Sequence, residues 1–134
     1  MDGDGLFYRG STVRIGDVTD GTSSTLAAGE RSFLYADAAW VGSVTGAQLV
    51  PNPGSGLTVQ LDVAANYVLG HTGESFNGPG GRNEPNSFYS NHVRGVNFVF
   101  ADGHVQFISQ TIDMNAYQFL STYAGGEVIP GNAY

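Results

Sequence analysis

Between Ser90 and Ser109 the chain reads SNHVRGVNFVFADGHVQFIS, and the Asp102-Gly103 pair within it constrains the fold more than any other feature. Before the pair, Val96, Phe98 and Phe100 alternate with Asn97, Val99 and Ala101; after it, Val105 and Phe107 alternate with Gln106 and Ile108. Asp-Gly between two runs of β-branched and aromatic residues specifies a hairpin. A two-residue type I′ turn needs positive φ at both central positions, which Asp tolerates and Gly adopts freely. Nearly every position of both strands is apolar, so the hairpin is expected in the interior of a sheet with both faces largely covered.

A chain of 134 residues supports one domain, residues 1–134, large enough to bury about two-thirds of its unfolded surface without covalent staples. Twenty Gly, eight Phe and seven Tyr favour short aromatic strands joined by many turns. Lys is missing and Glu is scarce, which disfavours long helices. The expected class is α+β, dominated by an antiparallel sheet with the hairpin at its centre and little helix. The net charge of −7 argues against nucleic acid or an anionic membrane surface as partner and makes divalent cations the natural counter-charge. Cysteine is absent, so disulfides and thiolate chemistry are excluded. No apolar run approaches the ~20 residues of a membrane span, so the chain is not expected to insert into a bilayer.

In chain order, Met1 to Gly5 is an acidic lead and Arg9-Gly-Ser11 a turn. Residues 12–18, with Val13 and Ile15 around Arg14, read as a short strand. Thr19 to Ser24 gathers Asp, Gly and hydroxyls in the manner of Asx-turns and caps. Thr25 to Glu30 allows a strand or one helical turn, and Gly29 within it marks a bulge or a close backbone approach. Phe33 to Val44, around the single Trp40, reads as core, and Gln48 to Gly56 as a loop. Leu57 to Val63 alternates cleanly and predicts a half-buried strand. Gly70 to Ser87 is a long polar loop holding His71, Glu74, Arg82 and Glu84, of a length that is usually functional. Ile112, Ala116, Phe119, Leu120 and Tyr123 fall near helical spacing, with Gly125-Gly126 as the stop.

His92, nine intervening residues and Asp102-Gly103, set in N-H-x-x-G-x-N-F-x-F-A-D-G-x-V-x-F-I, resemble the signature of the prepilin-type processing-associated H-X9-DG proteins, a bacterial family of unknown biochemical function. Phe7-Tyr8-Arg9 with Arg14 and Val18, Asp20-Gly-Thr-Ser-Ser-Thr25 leading to Gly29-Glu30-Arg31, and Ala124-Gly-Gly-Glu-Val128 fit the same resemblance, which runs from about Leu6 to Val128. It implies a pseudopilin-like C-terminal domain at the cell surface or outside the cell. In the family such a domain follows a prepilin segment with a hydrophobic helix. None precedes Leu6 in this sequence, so the expectation is either a soluble piece of such a protein or a relative that no longer uses the pilin export and anchoring route.

The residues that the motif singles out are His92, Asn97, Asp102, Gly103, Asp20, Gly21, Thr22 and Glu30. His92 and Asp102 lie at opposite ends of one strand, about 30 Å apart at ~3.3 Å per residue, and cannot form a dyad. Asp102 is therefore expected to serve the turn, His104 to face solvent beside it, and Asp20, Thr22 and Ser23 to cap and stabilise turns. His92 is read as a hydrogen-bonded anchor where the long loop enters the sheet, with ligand contact as the alternative. Asp2-Gly-Asp-Gly5 opens like a calcium loop but fails as an EF-hand, because Val13 stands where the bidentate Glu belongs. A discontinuous calcium site would draw on Asp17, Asp20, Glu30, Glu74 and Glu84, against the simpler reading of a solvated acidic face. No G-x-S-x-G elbow or assembled nucleophile, base and orienter can be found, so no enzyme is expected. The sequence favours a non-catalytic surface module that assembles with copies of itself or other envelope proteins. The alternative is a binding module for a carbohydrate or small solute.

Overall fold

The computed structural model describes residues 4–8, 10–31, 48–49, 60–61, 69–73, 75–77, 87–130 and 133. The elements are a 3-10 turn (Ile15–Asp17), β1 (Leu26–Gly29), β2 (Gln48–Leu49), β3 (Gln60–Leu61), β4 (Gly95–Phe100), β5 (Val105–Ser109) and α1 (Met114–Phe119). β1, β4 and β5 form an antiparallel sheet in the order β1-β4-β5, and β2 pairs antiparallel with β3 in a separate two-stranded ladder. This is a small, sheet-dominated α+β arrangement with one short helix. Among the described residues no helix is long and apolar enough to cross a membrane.

The hairpin forms where Asp102-Gly103 places it, with a turn one residue longer than the two-residue form. Val99 pairs with Val105, the Phe100 amide donates to the His104 carbonyl at 2.9 Å, and the Gly103 amide donates to the Phe100 carbonyl at 2.9 Å. Ala101, Asp102 and Gly103 thus make a three-residue loop with Gly103 alone at positive φ, +91°, the arrangement of a type I turn closed by a left-handed glycine. Asp102 stays at negative φ because its carboxylate accepts the His104 amide at 3.0 Å, an Asx-type bond across the turn.

Only one face of this hairpin is covered. Val96, Phe98, Phe100 and Ile108 are buried, whereas Val99, Val105 and Phe107 on the opposite face are exposed. β4 is the central strand and β5 an edge, and alternating apolar residues in β5 therefore do not imply burial on both sides. Residues 12–18 are not a strand: the Arg14 amide donates to the Asp17 carboxylate at 2.8 Å and Asp17 N–H to the Arg14 carbonyl at 2.8 Å, winding Ile15–Asp17 into a 3-10 turn. β1 is a strand. Its register slips between Leu26 and Ala28, and a Cβ on Gly29 would meet the rings of Phe98 and Phe88 at 2.6 and 2.7 Å, so the glycine marks both a bulge and a close approach. Gln48–Leu49, read as loop, is strand β2. Only Gln60–Leu61 of the expected 57–63 strand, and nothing of 33–44, lies within the described residues.

The core gathers Leu26, Phe76, Val96, Phe98, Phe100, Ile108, Tyr117 and Leu120. Phe76 comes from the segment read as a polar loop and meets Phe98 and Tyr117 edge to face, with ring centroids 5.5 and 5.0 Å away. The helix is shorter than the 112–125 pattern. Asp113 caps it, accepting the amides of Asn115 and Ala116 at 2.9 and 3.1 Å. It ends near Leu120 because the chain beyond is held by long-range bonds described below.

Two outcomes follow. Nothing lies within 4 Å of a Cβ at Gly103, so Gly103→Val loses stability through backbone strain alone, about 1–2 kcal/mol, read as a Tm lower by several degrees; Gly103→Asn should lose clearly less. The Tyr117 hydroxyl is fully buried and has no hydrogen-bond partner among the described residues, and burial pushes its pKa upward. Removing an unsatisfied hydroxyl relieves a desolvation penalty, so Tyr117→Phe should leave the Tm unchanged or raised, and a drop of several degrees would show that the hydroxyl is bonded.

Candidate functional site

The motif residues separate into three groups, each built around one carboxylate. The first is at the end of β1. The Glu30 amide donates to the Asn97 carbonyl at 3.2 Å as a ladder bond would, but the Glu30 carbonyl has turned away to accept the Tyr89 amide at 2.9 Å. The Asn97 amide, which would otherwise lose its partner where β1 leaves the sheet, donates instead to Glu30 Oε2 at 2.7 Å, joined by Asn97 Nδ2 at 3.2 Å. A buried or half-buried amide needs such an acceptor, and the side chain supplies it. Glu30 Oε1 faces His92 Nε2 at 3.3 Å, and the His92 ring stands edge-on to Phe107 with centroids 6.4 Å apart. His92 thus meets Glu30 where the chain enters the sheet, a partner that spacing alone did not reveal.

Burial works to raise the Glu30 pKa, but the two Asn97 bonds, a Ser90 hydrogen bond and the charge of His92 together outweigh it, and the carboxyl lies below its usual range. His92 N–H also donates to Ser90 Oγ at 3.1 Å, closing the local turn. Asn77, at φ 55°, braces the same loop: its Oδ1 accepts the Ser90 amide at 2.8 Å and its Nδ2 donates to the Gly95 carbonyl at 3.0 Å. The only sequence signal for Asn77 was the Asn77-Gly78 dipeptide, a turn former in which Asn tolerates the left-handed region.

The second group is the hairpin tip. Asp102 Oδ1 accepts His104 Nδ1–H at 2.6 Å as well as the His104 amide. Those two bonds, backbone first, hold the Asp102 carboxyl below its ordinary value. The His104 ring lies flat on Phe100, centroids 4.3 Å apart and planes 12° from parallel, so it roofs a core ring as well as meeting solvent. His92 and Asp102, the named ends of the H-X9-DG spacing, therefore each have a separate partner.

The third group joins the two ends of the domain. Asp20 accepts the Gly125 and Gly126 amides at 2.7 and 2.9 Å and the Thr122 hydroxyl at 3.1 Å. Gly21, at φ +99°, lets the chain turn so that its carbonyl accepts the Thr25 hydroxyl at 3.1 Å, while the Thr22 carbonyl accepts the Asp102 amide at 3.1 Å. Thr25, fully buried, also donates to the Thr122 carbonyl at 3.3 Å. Capping was the expected role of Asp20 and Thr22. The segment that Asp20 caps lies about a hundred residues further along the chain, and Thr22 meets the hairpin tip through its carbonyl instead.

Of the calcium candidates, Asp17 holds the 3-10 turn, Asp20 the C-terminal turn and Glu30 the strand end, and among the described residues no three His, Asp or Glu side chains stand together as a metal site. Glu74 and Glu84 lie outside the described residues. A separate open depression of about 410 Å³ lies between the His71–Gly73 stretch and the end of α1. Asp4, His71, Phe119 and Glu127 are in its wall, and Thr72 and Ser121 hydroxyls bond across it at 2.7 Å.

A family model described as a protein of unknown function (DUF1559) matches residues 1–115. No curated protein and no solved structure gives a significant match to the chain.

Glu30 yields a pH test. A carboxylate whose folded pKa is depressed stabilises the fold above its unfolded value, near 4.5, and that stability is lost as pH falls through the lower folded value. Glu30→Gln should therefore be less stable than the parent at pH 7, and the gap should close below pH 4; a gap that stays constant with pH would mean that the carboxylate's charge plays no part in holding the Asn97 amide.

Proposed function

We propose, for a chain that belongs to the DUF1559 family of proteins of unknown function, a non-catalytic role: a surface module that assembles with copies of itself or with other envelope proteins. The observation that carries this reading is the outer face of the hairpin. Val99, Val105 and Phe107 are 36%, 63% and 46% exposed on one side of the sheet, placed there by strand alternation. A contiguous apolar strip on an otherwise acidic domain is the usual mark of an interaction site. The carboxylates of the motif are already engaged in tying strand end, hairpin tip and C-terminal turn together, which supports an architectural role for them. The resemblance to H-X9-DG, pilin-like proteins supports the same reading, with the cell surface or the outside of the cell as the proposed location.

The depression between the His71–Gly73 stretch and α1 supports a second reading, a small-solute or carbohydrate site: Phe119 is in its wall, with His71, Asp4, Gln118 and Glu127 as polar groups beside it.

Salt separates assembly modes. With a charge of −7 on each copy, subunits repel at long range, and raising ionic strength from 0.1 M to 1 M shortens the Debye length from ~10 Å to ~3 Å. Apolar association should hold or strengthen across that range when followed by sedimentation velocity. A monodisperse monomer at every salt and protein concentration would overturn the assembly reading and leave the solute-binding one.

A further inference from the structure

From the register of the hairpin we infer that β5 is the strand through which two copies of this chain join, antiparallel about a two-fold axis at Phe107. The inference rests on the assembly reading and supplies its contact.

The ladder determines which backbone groups are free. At the two ends of the β4–β5 pairing, the Phe100 amide donates to the His104 carbonyl and the Gln110 amide donates to the Arg94 carbonyl. Antiparallel alternation then directs the amides and carbonyls of His104, Gln106, Ile108 and Gln110 toward β4, and those of Val105, Phe107 and Ser109 toward the open edge. On that edge the Ser109 carbonyl accepts the Ile112 amide at 3.0 Å; among the described residues the amides of Val105, Phe107 and Ser109 and the carbonyls of Val105 and Phe107 have no partner.

Natural sheets protect an edge with Lys, Pro, charge or a bulge. β5 reads VQFIS, uncharged and without proline, and its pairing with β4 runs from Gly95–Ser109 to Val99–Val105 without a slip. The same strand carries Val105 and Phe107 on the exposed face, so an added strand would be bonded along its backbone and covered on one side.

A second copy fits this edge in one register. With the axis at Phe107, the Phe107 amide donates to the carbonyl of the partner's Phe107 and the reverse, and the Ser109 amide donates to the carbonyl of the partner's Val105 and the reverse. Every free donor except Val105 N–H is thereby satisfied directly, and Val105 N–H faces the carbonyl of the partner's Ser109, which has a second lone pair. The two Phe107 rings come to the same face. Charge agrees with this orientation: Asp102 lies at the hairpin end of β5 and the exposed Arg94 is bonded to Gln110 at the other, so antiparallel pairing brings the acidic end of one copy beside the basic end of the other. A parallel pairing would set like against like. The strand is short, so the interface is at the weak end of specific contacts.

Hydrogen exchange of the parent protein over a concentration series into the hundreds of micromolar tests the edge directly. The Phe107 and Ser109 amides should exchange quickly in the monomer and slow at least several-fold as dimer forms, while Gln106 and Ile108, already bonded to β4, change little. The chain has no cysteine, which allows a register test. Oxidised Phe107→Cys should give covalent dimer, since facing residues of a bonded pair lie ~5.5 Å apart. Val105→Cys alone should not, since its copies are roughly 13 Å apart along the strands, but mixed with Ser109→Cys it should. Val105→Lys should weaken dimerisation at least tenfold with an unchanged melting curve. Dimer formation without edge protection, or crosslinking of Val105→Cys to itself, would overturn the edge while leaving assembly intact. A parent that stays monomeric throughout would overturn both.

Discussion

The three-stranded sheet, the segment that carries Phe76 and the helix meet at the ring of Phe98. It lies fully buried at the middle of the central strand and meets Phe76 at 5.5 Å, Phe88 at 5.0 Å and Tyr117 at 6.0 Å, all edge to face. Those partners belong to the connecting segment, the stretch entering β4, and the helix; Gly29 of β1 completes the site by having no side chain where the ring passes. Burying a Phe side chain contributes about 1.5–3 kcal/mol, and each edge-to-face pair about 0.5–1.5 kcal/mol more. One residue thus couples sheet, loop and helix, and a helix of six residues, too short to persist alone, is held by that coupling and by its Asp113 cap.

The polar bonds work at the margins of this core, where strands stop. β1 leaves the sheet at Glu30, the hairpin reverses at Asp102, and the chain returns past Asp20 to meet its own far end. At each place the backbone would lose a hydrogen-bond partner, and at each place a carboxylate supplies one. Acids suit this task because a carboxylate accepts several N–H donors at once and binds them more strongly than a neutral carbonyl does. The acidic balance of the chain, read from composition as a call for counter-ions, has in these positions an internal explanation.

Local chemistry was legible in the sequence, and tertiary choice was not. Asp102-Gly103 between alternating runs announced the hairpin, Gly29 announced a close approach, and the 112–125 pattern announced a helix. Type I′ and the longer turn share the same dipeptide; what separates them is whether the Asp carboxylate caps His104, a matter of one φ angle. Alternation cannot distinguish a central from an edge strand, so β5 looked as buried as β4. Phe76, alone among Gly, Asn and Pro, carried no periodicity and read as loop. Glu30 and Asn97 are 67 residues apart, and no spacing rule reaches across that distance.

The H-X9-DG spacing then has a physical meaning different from that of a catalytic pair. Nine residues is what β4 needs, with its entering turn, to run from one side of the sheet to the hairpin tip. His92 fastens the start of that run to Glu30, just past β1, and Asp102 fastens its end through His104 and, by its amide, to the Thr22 carbonyl. The Glu30 and Thr22 contacts hold β4 toward β1, while the His92 ring also meets Phe107 of β5 and the Asp102–His104 bond lies within the hairpin tip. The motif therefore braces β4 toward both of its neighbours and, among the described residues, leaves the far edge of β5 open. A strand held straight by its neighbour and free along its outer side is a ready template for another strand, because the entropy of ordering it has already been offset by folding. A change at Asp102 would on this view loosen the template without touching that surface, whereas a change at His92 would also remove a ring that meets Phe107.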